Sequence, residues 1–200
     1  YRSDRMEFDV SLSGSFPTDA DDNNARQGMN DLDWLGEVGP RLQITLARAA
    51  KAAKIDLELP VRAVLSTDFS SLEHQGFIFA PELAYQHDDF MGKGIELKLG
   101  LSLDFASEGL ADYFYEVPTN FVTSTRSAYN AKAGFMGTRL QLSAYKPITD
   151  RWRVFAGING EFHHGAANKS SPLFLNTSNV GVGFGVIWSF WQSDARVTED

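Results

Sequence analysis

Apolar side chains alternate with polar or small ones along eight stretches of the chain, and this period of two predicts eight β-strands. In residues 95–105, Ile, Leu and Phe occupy one face, while Glu, Lys, Gly, Ser and Asp occupy the other. Pro60 and Pro81 fall within two of the strands, and each predicts a bulge or a weak edge because proline cannot donate to a β ladder. The strands are predicted near residues 6–13, 36–47, 54–65, 76–87, 94–105, 133–145, 151–163 and 179–190.

The segments between these strands are alternately long and short. Outer-membrane barrels have long external loops and short periplasmic turns, so the chain is predicted to be an all-β, antiparallel transmembrane β-barrel. If its C-terminus is periplasmic, residue 1 is periplasmic too, and upstream strands come in pairs; we expect ten to twelve strands in the full-length protein. The long polar connections are 14–35, 66–75, 106–132 and 164–178, and the short ones are 48–53, 88–93 and 146–150.

Length and composition exclude several classes of protein. The 200 residues suit one domain, with a barrel over 1–191 and a C-terminal tail over 192–200. No run of about eighteen apolar residues occurs, which excludes a transmembrane helix. Cysteine is absent, which excludes disulfides, thiolate metal sites and cysteine nucleophiles. The net charge of −8 argues against a nucleic-acid partner.

Charges of both signs fall on the inward face of the predicted barrel. Buried charges are far less costly when they are paired, so one interpretation is a salt-bridged interior that fixes the shape of the barrel. The other is a polar channel or small-ligand site whose carboxylates select cationic solutes. The inward charges are Lys54, Asp56, Glu58, Arg62, Glu82, Glu96, Lys98, Asp104, Arg139, Arg153 and Glu161.

Aromatic residues lie near the predicted strand ends, where the interfacial girdles of a membrane barrel belong. The alternative is that they are core aromatics of a soluble sandwich or a lipocalin-like barrel. A soluble barrel, however, hides its apolar side chains inside and would not need apolar positions on every strand. The candidate girdle comprises Tyr85, Phe105, Tyr145, Trp152, Phe162, Trp188, Phe190 and Trp191.

We predict no catalytic residue, metal site or cofactor. His163 and His164 stand beside Glu161, with Ser170 and Ser171 nearby, but nothing in a loop guarantees the geometry of a triad. Neighbouring residues on a strand face opposite sides, which makes joint metal ligation by the two histidines awkward. Residues 112–117 form either a short amphipathic helix over the barrel mouth or a turn with aromatic anchors.

Several tracts follow one another in a characteristic order: DYFYEV at 112–117, YNAKAGFMGTRL at 129–140, RWRVFAG at 151–157 and GAANKSSPL at 165–173. Near the start, DDNNARQGM at 21–29 precedes Leu32-Asp33 and Val38-Gly39-Pro40. Together they resemble the MipA/OmpV family of outer-membrane proteins, over essentially the whole chain. Chains of that family usually carry a signal peptide and further strands upstream.

The resemblance implies an integral outer-membrane β-barrel of a Gram-negative bacterium, in contact with membrane lipid and lipopolysaccharide. The family's namesake is a scaffold that links a murein lytic transglycosylase to a murein-synthesising penicillin-binding protein. We therefore expect a non-enzymatic scaffold of the cell envelope, whose periplasmic rim, residues 48–54 and the C-terminal tail, meets partners. The alternative is a small-solute channel or small-molecule-binding barrel that uses the charged lumen.

Overall fold

The computed structural model describes residues 3, 5–21, 23–50 and 52–189. These ranges contain one antiparallel sheet of nine strands, which confirms the predicted all-β antiparallel fold. No helix in the described part of the chain is both long and apolar enough to cross a membrane. The elements are β1 (Met6–Ser15), β2 (Trp34–Ala50), β3 (Ala53–Thr67), β4 (Leu72–Phe79), β5 (Glu82–Phe90), β6 (Ile95–Ala106), α1 (Glu108–Tyr115), a 3-10 helix (Thr119–Phe121), β7 (Gly134–Pro147), β8 (Trp152–Phe162) and β9 (Ser178–Trp188).

The predicted fourth strand, 76–87, is wrong as a single element: β4 and β5 lie end to end, and both pair with β3 and β6. Pro81 lacks an N–H, so the ladder cannot continue through it. The Ala80 N–H instead donates to the Pro60 carbonyl at 3.3 Å, and the Leu103 N–H donates to the Pro81 carbonyl at 3.0 Å. Since β4 and β5 share one place in the sheet, the sheet has the eight positions that the pattern predicts.

The connections separate the two ends of the sheet. Residues 16–33, 68–71, 107–133 and 163–177 connect strands at one end, called here the long-loop end. Residues 51–52, 91–94 and 148–151 connect them at the other, the short-turn end. The predicted long loop 66–75 is wrong, because β3 runs to Thr67 and β4 begins at Leu72. The remaining long and short connections occur where the pattern predicts them.

The two faces of the sheet have the polarity opposite to that of a soluble barrel. On β3, Asp56 and Glu58 are 0% and 5% exposed, whereas Val61 is 44% exposed. On β6, Ser102 and Asp104 are buried between exposed leucines. Burial therefore follows the polar positions, as the predicted inward and outward faces require. This arrangement argues against a soluble sandwich with aromatic core residues.

The sheet curls around the polar face. One cavity is lined by Ser15 of β1 and by Asn179 of β9, which are the first and last strands in the sheet order. Small inward residues give long ones room: a Cβ on Gly185 would lie 2.6 Å from the Phe155 ring, and a Cβ on Gly181 would lie 2.4 Å from Asn159 Oδ1. The fold is therefore barrel-like, with an interior that side chains occupy except for separate cavities.

An apolar cluster fills the interior at the long-loop end. It includes Leu35, Val64, Ile78 and Ala106, with Leu110 of α1 packed on top. The predicted amphipathic helix is thus present, although it begins at Glu108, four residues before the predicted start. Gly76 makes this approach possible: its φ is 123°, and a Cβ would lie 2.9 Å from the Leu110 nitrogen. Helix α1 therefore covers the interior from above.

Candidate functional site

Five charged side chains from five strands form a continuous chain of ion pairs across the inner face. Arg41 Nη2 lies 2.5 Å from Asp9 Oδ2, and Arg41 Nη1 lies 3.0 Å from Glu58 Oε2. Lys98 Nζ then joins Glu58 Oε1 to Glu82 Oε1, at 2.8 Å from each. The buried Glu58 carboxylate is therefore shared by two cations, and each cation has a second carboxylate.

Two further carboxylates, those of Asp56 and Glu37, have cationic and hydrogen-bonding partners beside this row of ion pairs. Asp56 is fully buried and accepts hydrogen bonds from Gln43 at 3.0 Å and Thr45 at 2.8 Å, while Lys54 Nζ lies 2.9 Å away. Arg62 Nε donates to Glu37 at 2.8 Å. Pairing and hydrogen bonds offset the cost of removing buried charges from water. Both carboxylates therefore lie on the inner face with their charges compensated.

The remaining predicted charges form pairs nearer the two ends. Arg153 pairs with Glu96 and lies over the Tyr145 ring, 5.8 Å from its centroid. Arg139 pairs with Asp104, and its Nε lies 3.8 Å from Glu161 Oε1. The structure thus places all the predicted inward charges in ion pairs, but in separate groups: Glu58, Glu82 and Lys98; Lys54 and Asp56; Arg62; Asp104, Arg139 and Glu161; and Glu96 and Arg153.

Three members of the network, Asp9, Glu37 and Arg41, are absent from the predicted inward charges. Glu37 and Arg41 lie on β2, where Gly36, Gly39 and Pro40 interrupt the alternation that marks an inward face. The register shows their facing: Arg41 is opposite Asp9, and Glu37 is opposite Ser13 on β1. A signal existed, because residues 37, 39, 41 and 43 are spaced two apart, but the intervening glycines and proline obscured it.

A lid closes the long-loop end above these charges. Arg26 Nη1 donates to the Phe114 carbonyl at 3.1 Å, the Asp33 N–H donates to the Tyr113 hydroxyl at 2.8 Å, and Ser171 Oγ donates to the Tyr115 carbonyl at 2.7 Å. Helix α1 is thereby tied to loop 16–33 on one side and to loop 163–177 on the other. Burial raises the pKa of the Tyr113 phenol and lowers that of the Arg26 guanidinium.

Arg126 holds two loops of the same lid together. It is buried, and its Nη1 donates to the carbonyls of Ala25 and Gln27 at 2.8 and 3.1 Å. Its Nε donates to the Phe121 carbonyl at 2.9 Å. One guanidinium therefore joins loop 16–33 to loop 107–133 through three backbone acceptors, and these hydrogen bonds hold the two loops together.

The aromatic residues separate into outward and inward sets. Trp152 and Trp188 are a stacked cross-strand pair on the outer face at the short-turn end, with centroids 5.8 Å apart. Phe105 and Phe162 are partly exposed toward the long-loop end, and Tyr85 shares the outward register of Leu99. Tyr145 departs from the predicted girdle: it pairs in register with Glu96 and stacks on the inward Phe155. Phe190 and Trp191 lie outside the described residues.

The candidate catalytic groups are engaged elsewhere. His163 Nδ1 lies 2.9 Å from the Met136 carbonyl, and Ser171 Oγ donates to the Tyr115 carbonyl. Ser170 Oγ donates to the Tyr129 hydroxyl at 3.3 Å. In the described ranges, no group of three or more His, Asp or Glu side chains is arranged to hold a metal ion. The site therefore has paired charges beneath a lid, and His163 Nδ1 and the two serine hydroxyls are engaged with backbone carbonyls or with the Tyr129 hydroxyl.

A comparison with protein families identifies the chain. The model of the family described as MltA-interacting protein MipA matches residues 1–190. The chain belongs to the MipA family. The resemblance seen in the short tracts is therefore confirmed, and the MipA-family match covers every strand described above. Searches of curated proteins and of solved structures found no match.

Proposed function

We propose that this MipA-family protein is an integral β-barrel of the Gram-negative outer membrane and acts there as a non-enzymatic scaffold. The observation that carries the proposal is the inverted polarity of the sheet: paired charges are buried inside, and apolar side chains are exposed outside. In water, such an outer face would be an aggregation surface; in lipid, it is the stable arrangement.

The outer face has the chemistry and the height of a lipid-facing band. Every outward position on β3 from Ile55 to Leu65, and on β8 from Trp152 to Phe162, is uncharged. Ten residue steps separate Trp152 from Phe162, or about 33 Å along a strand. A strand tilted by about 40° spans about 25 Å of that along the membrane normal, which matches the apolar band of outer-membrane barrels.

The lid and the ion pairs support a scaffold rather than a channel. In the middle of the inner face, a cavity of only about 170 Å³ remains between Arg41, Glu82 and Arg139. Above it, the apolar cluster and α1 cover the long-loop end. A solute would have to displace the helix and then break paired charges in low dielectric.

We infer that the short-turn end faces the periplasm, because short turns face that compartment in outer-membrane barrels. The family description names an interaction with MltA, and the resemblance noted above implies a murein lytic transglycosylase and a penicillin-binding protein as partners. We infer that the short-turn end, including residues 48–54 and the turn 148–151, is the surface that meets such envelope enzymes.

The first test is conduction. The protein is refolded, and its heat-modifiable gel migration confirms the fold before single-channel recording in planar bilayers. A scaffold with a filled interior gives no steady current. A steady current that changes in Glu96→Gln or Arg139→Gln would overturn the scaffold proposal in favour of a channel.

The second test is partner binding. Folded protein is immobilised and exposed to a purified murein lytic transglycosylase over a series of salt concentrations. We expect binding that weakens in the double variant Arg48→Gln/Arg151→Gln at the short-turn end. The matched control, Lys132→Gln/Lys169→Gln, removes two charges from the long-loop end and should bind normally. Absence of binding by the folded protein at low salt would refute the scaffold role.

A further inference from the structure

A second cavity, of about 330 Å³, lies under the lid at the long-loop end. This volume is at the small end of the range for ligand pockets, about 300–1,000 Å³. One side is apolar and consists of Leu35, Val64, Ile78, Leu110, Phe114 and Met136. The other side is polar, so the cavity is amphipathic and suits a molecule with an apolar body and one polar head.

The carboxylates that line the cavity are not equally engaged. Glu37 receives a hydrogen bond from Arg62 at 2.8 Å, and Asp104 is paired with Arg139. Glu161, by contrast, has only two ion contacts in the described part of the chain, both at 3.8 Å: to Arg139 Nε and to His163 Nε2. At that distance neither contact is a hydrogen bond. The Glu161 oxygens therefore retain their capacity to accept.

Two more polar groups of the lining have unused hydrogen-bonding capacity. Arg139 Nε is buried and has no hydrogen-bond partner among the described residues. The Tyr115 hydroxyl makes no hydrogen bond to a described residue, and burial, followed by the charge of Glu161, raises the pKa of this phenol. The Tyr115 oxygen can accept a hydrogen bond from a ligand N–H group, whereas Arg139 Nε can only donate, so an ammonium head belongs on the Glu161 and Tyr115 side of the cavity.

We propose that this cavity binds a small amphiphilic organic cation, whose ammonium group pairs with Glu161 and whose apolar body packs beneath α1. Of the three carboxylates in the lining, Glu37 is paired with Arg62 and Asp104 with Arg139, which leaves Glu161 without a cation at hydrogen-bond distance. A positive ligand therefore improves the charge balance, and a negative one worsens it. The aromatic rings of Phe114 and Tyr115 also favour a cation. This site is separate from the short-turn surface of the scaffold proposal.

The probe for this site is 2-phenylethylammonium, with 2-phenylethanol and 3-phenylpropanoate as neutral and anionic analogues of similar size. Binding is measured by isothermal titration calorimetry to the folded protein in lipid nanodiscs, with empty nanodiscs subtracted. We expect the ammonium to bind at least about tenfold more tightly than the alcohol, since charge-assisted hydrogen bonds are the stronger ones. Glu161→Gln should abolish that preference.

The matched control is Glu108→Gln, which removes an exposed carboxylate from α1 without touching the cavity. This variant should keep the preference for the ammonium. Equal affinity for all three analogues would overturn the proposal and leave an unselective apolar cavity. Tighter binding of the propanoate would overturn it in favour of an anion site at Arg139. Absence of binding to folded wild-type protein at millimolar ammonium would also overturn it.

Discussion

The contribution of the interior ion pairs to stability can be measured by changing Glu58, whose carboxylate two cations share. It is 5% exposed and bridges Arg41 at 3.0 Å and Lys98 at 2.8 Å. Glu58→Gln keeps the size and shape of the side chain and removes its charge. The neutral amide can still accept from one cation, but its NH2 group faces the other.

The expected cost follows from what each cation retains. Removing one partner of a buried pair typically costs about 3–5 kcal/mol when the other charge is left alone. Here Arg41 keeps Asp9 and Lys98 keeps Glu82, so neither charge is stranded. One hydrogen bond to a charged group is lost, which is worth about 1.5–3 kcal/mol. We expect the free energy of unfolding to fall by that amount.

The assay is reversible urea unfolding of the folded protein in lipid vesicles, followed by tryptophan fluorescence and by gel migration. Glu161→Gln is the matched control: its contacts are at 3.8 Å and its side chain is 35% exposed, so its effect should stay below about 1 kcal/mol. If Glu58→Gln costs no more than Glu161→Gln, the network contributes no net stability and the reasoning is refuted.

Three further changes test other parts of the structure. Gly185→Ala should destabilise the protein by about 1–3 kcal/mol in the same urea assay, because the new Cβ would lie 2.6 Å from the Phe155 ring. The control Gly183→Ala should be neutral, because a Cβ there would have no atom within 4 Å. Arg126→Gln should expose loop 16–33 to limited proteolysis, because three backbone acceptors lose their donor. Burial, followed by the contact with Glu116, raises the pKa of the Asp112 carboxyl. The ionised carboxylate therefore destabilises the folded state at a pH above that pKa, and the protonated carboxyl at lower pH does not. Asp112→Asn should slow hydrogen exchange in α1 at pH 7 and have no effect at low pH.

The facing of the strands could be predicted from the sequence because it depends on a local period. On β3 and β6, polar and apolar positions alternate without interruption, and the structure buries the polar ones. The predicted outward facing of Tyr145 is wrong because it rests on proximity to a strand end and not on this period. Residue 145 is an even number of steps from the inward Arg139 and Ser143, and this parity already places it inside.

The lid could be foreseen only in part. Residues 112–117 have helical amphipathicity, and α1 includes residues 112–115 of this segment. The contacts that hold the lid are distant in sequence: Arg26 donates to the Phe114 carbonyl, and Arg126 donates to the Ala25 carbonyl. A pattern of short period carries no information about such contacts. Val64 and Ala106 were a usable signal, since they continue the inward registers of Arg62 and Asp104 with apolar residues. They mark where the interior changes from charged to apolar.

That change within the interior bears on the choice between scaffold and channel. Ion pairs close the middle of the inner face, and their strength depends on a low dielectric. Burial of Leu110 and its neighbours closes the long-loop end, and this apolar packing does not depend on charge. The two closures lie in series along any path through the barrel. Breaking one ion pair leaves α1 seated, and unseating α1 leaves the ion pairs intact. A single charge variant should therefore loosen the fold before it opens a path for ions, which suits a scaffold better than a gated channel.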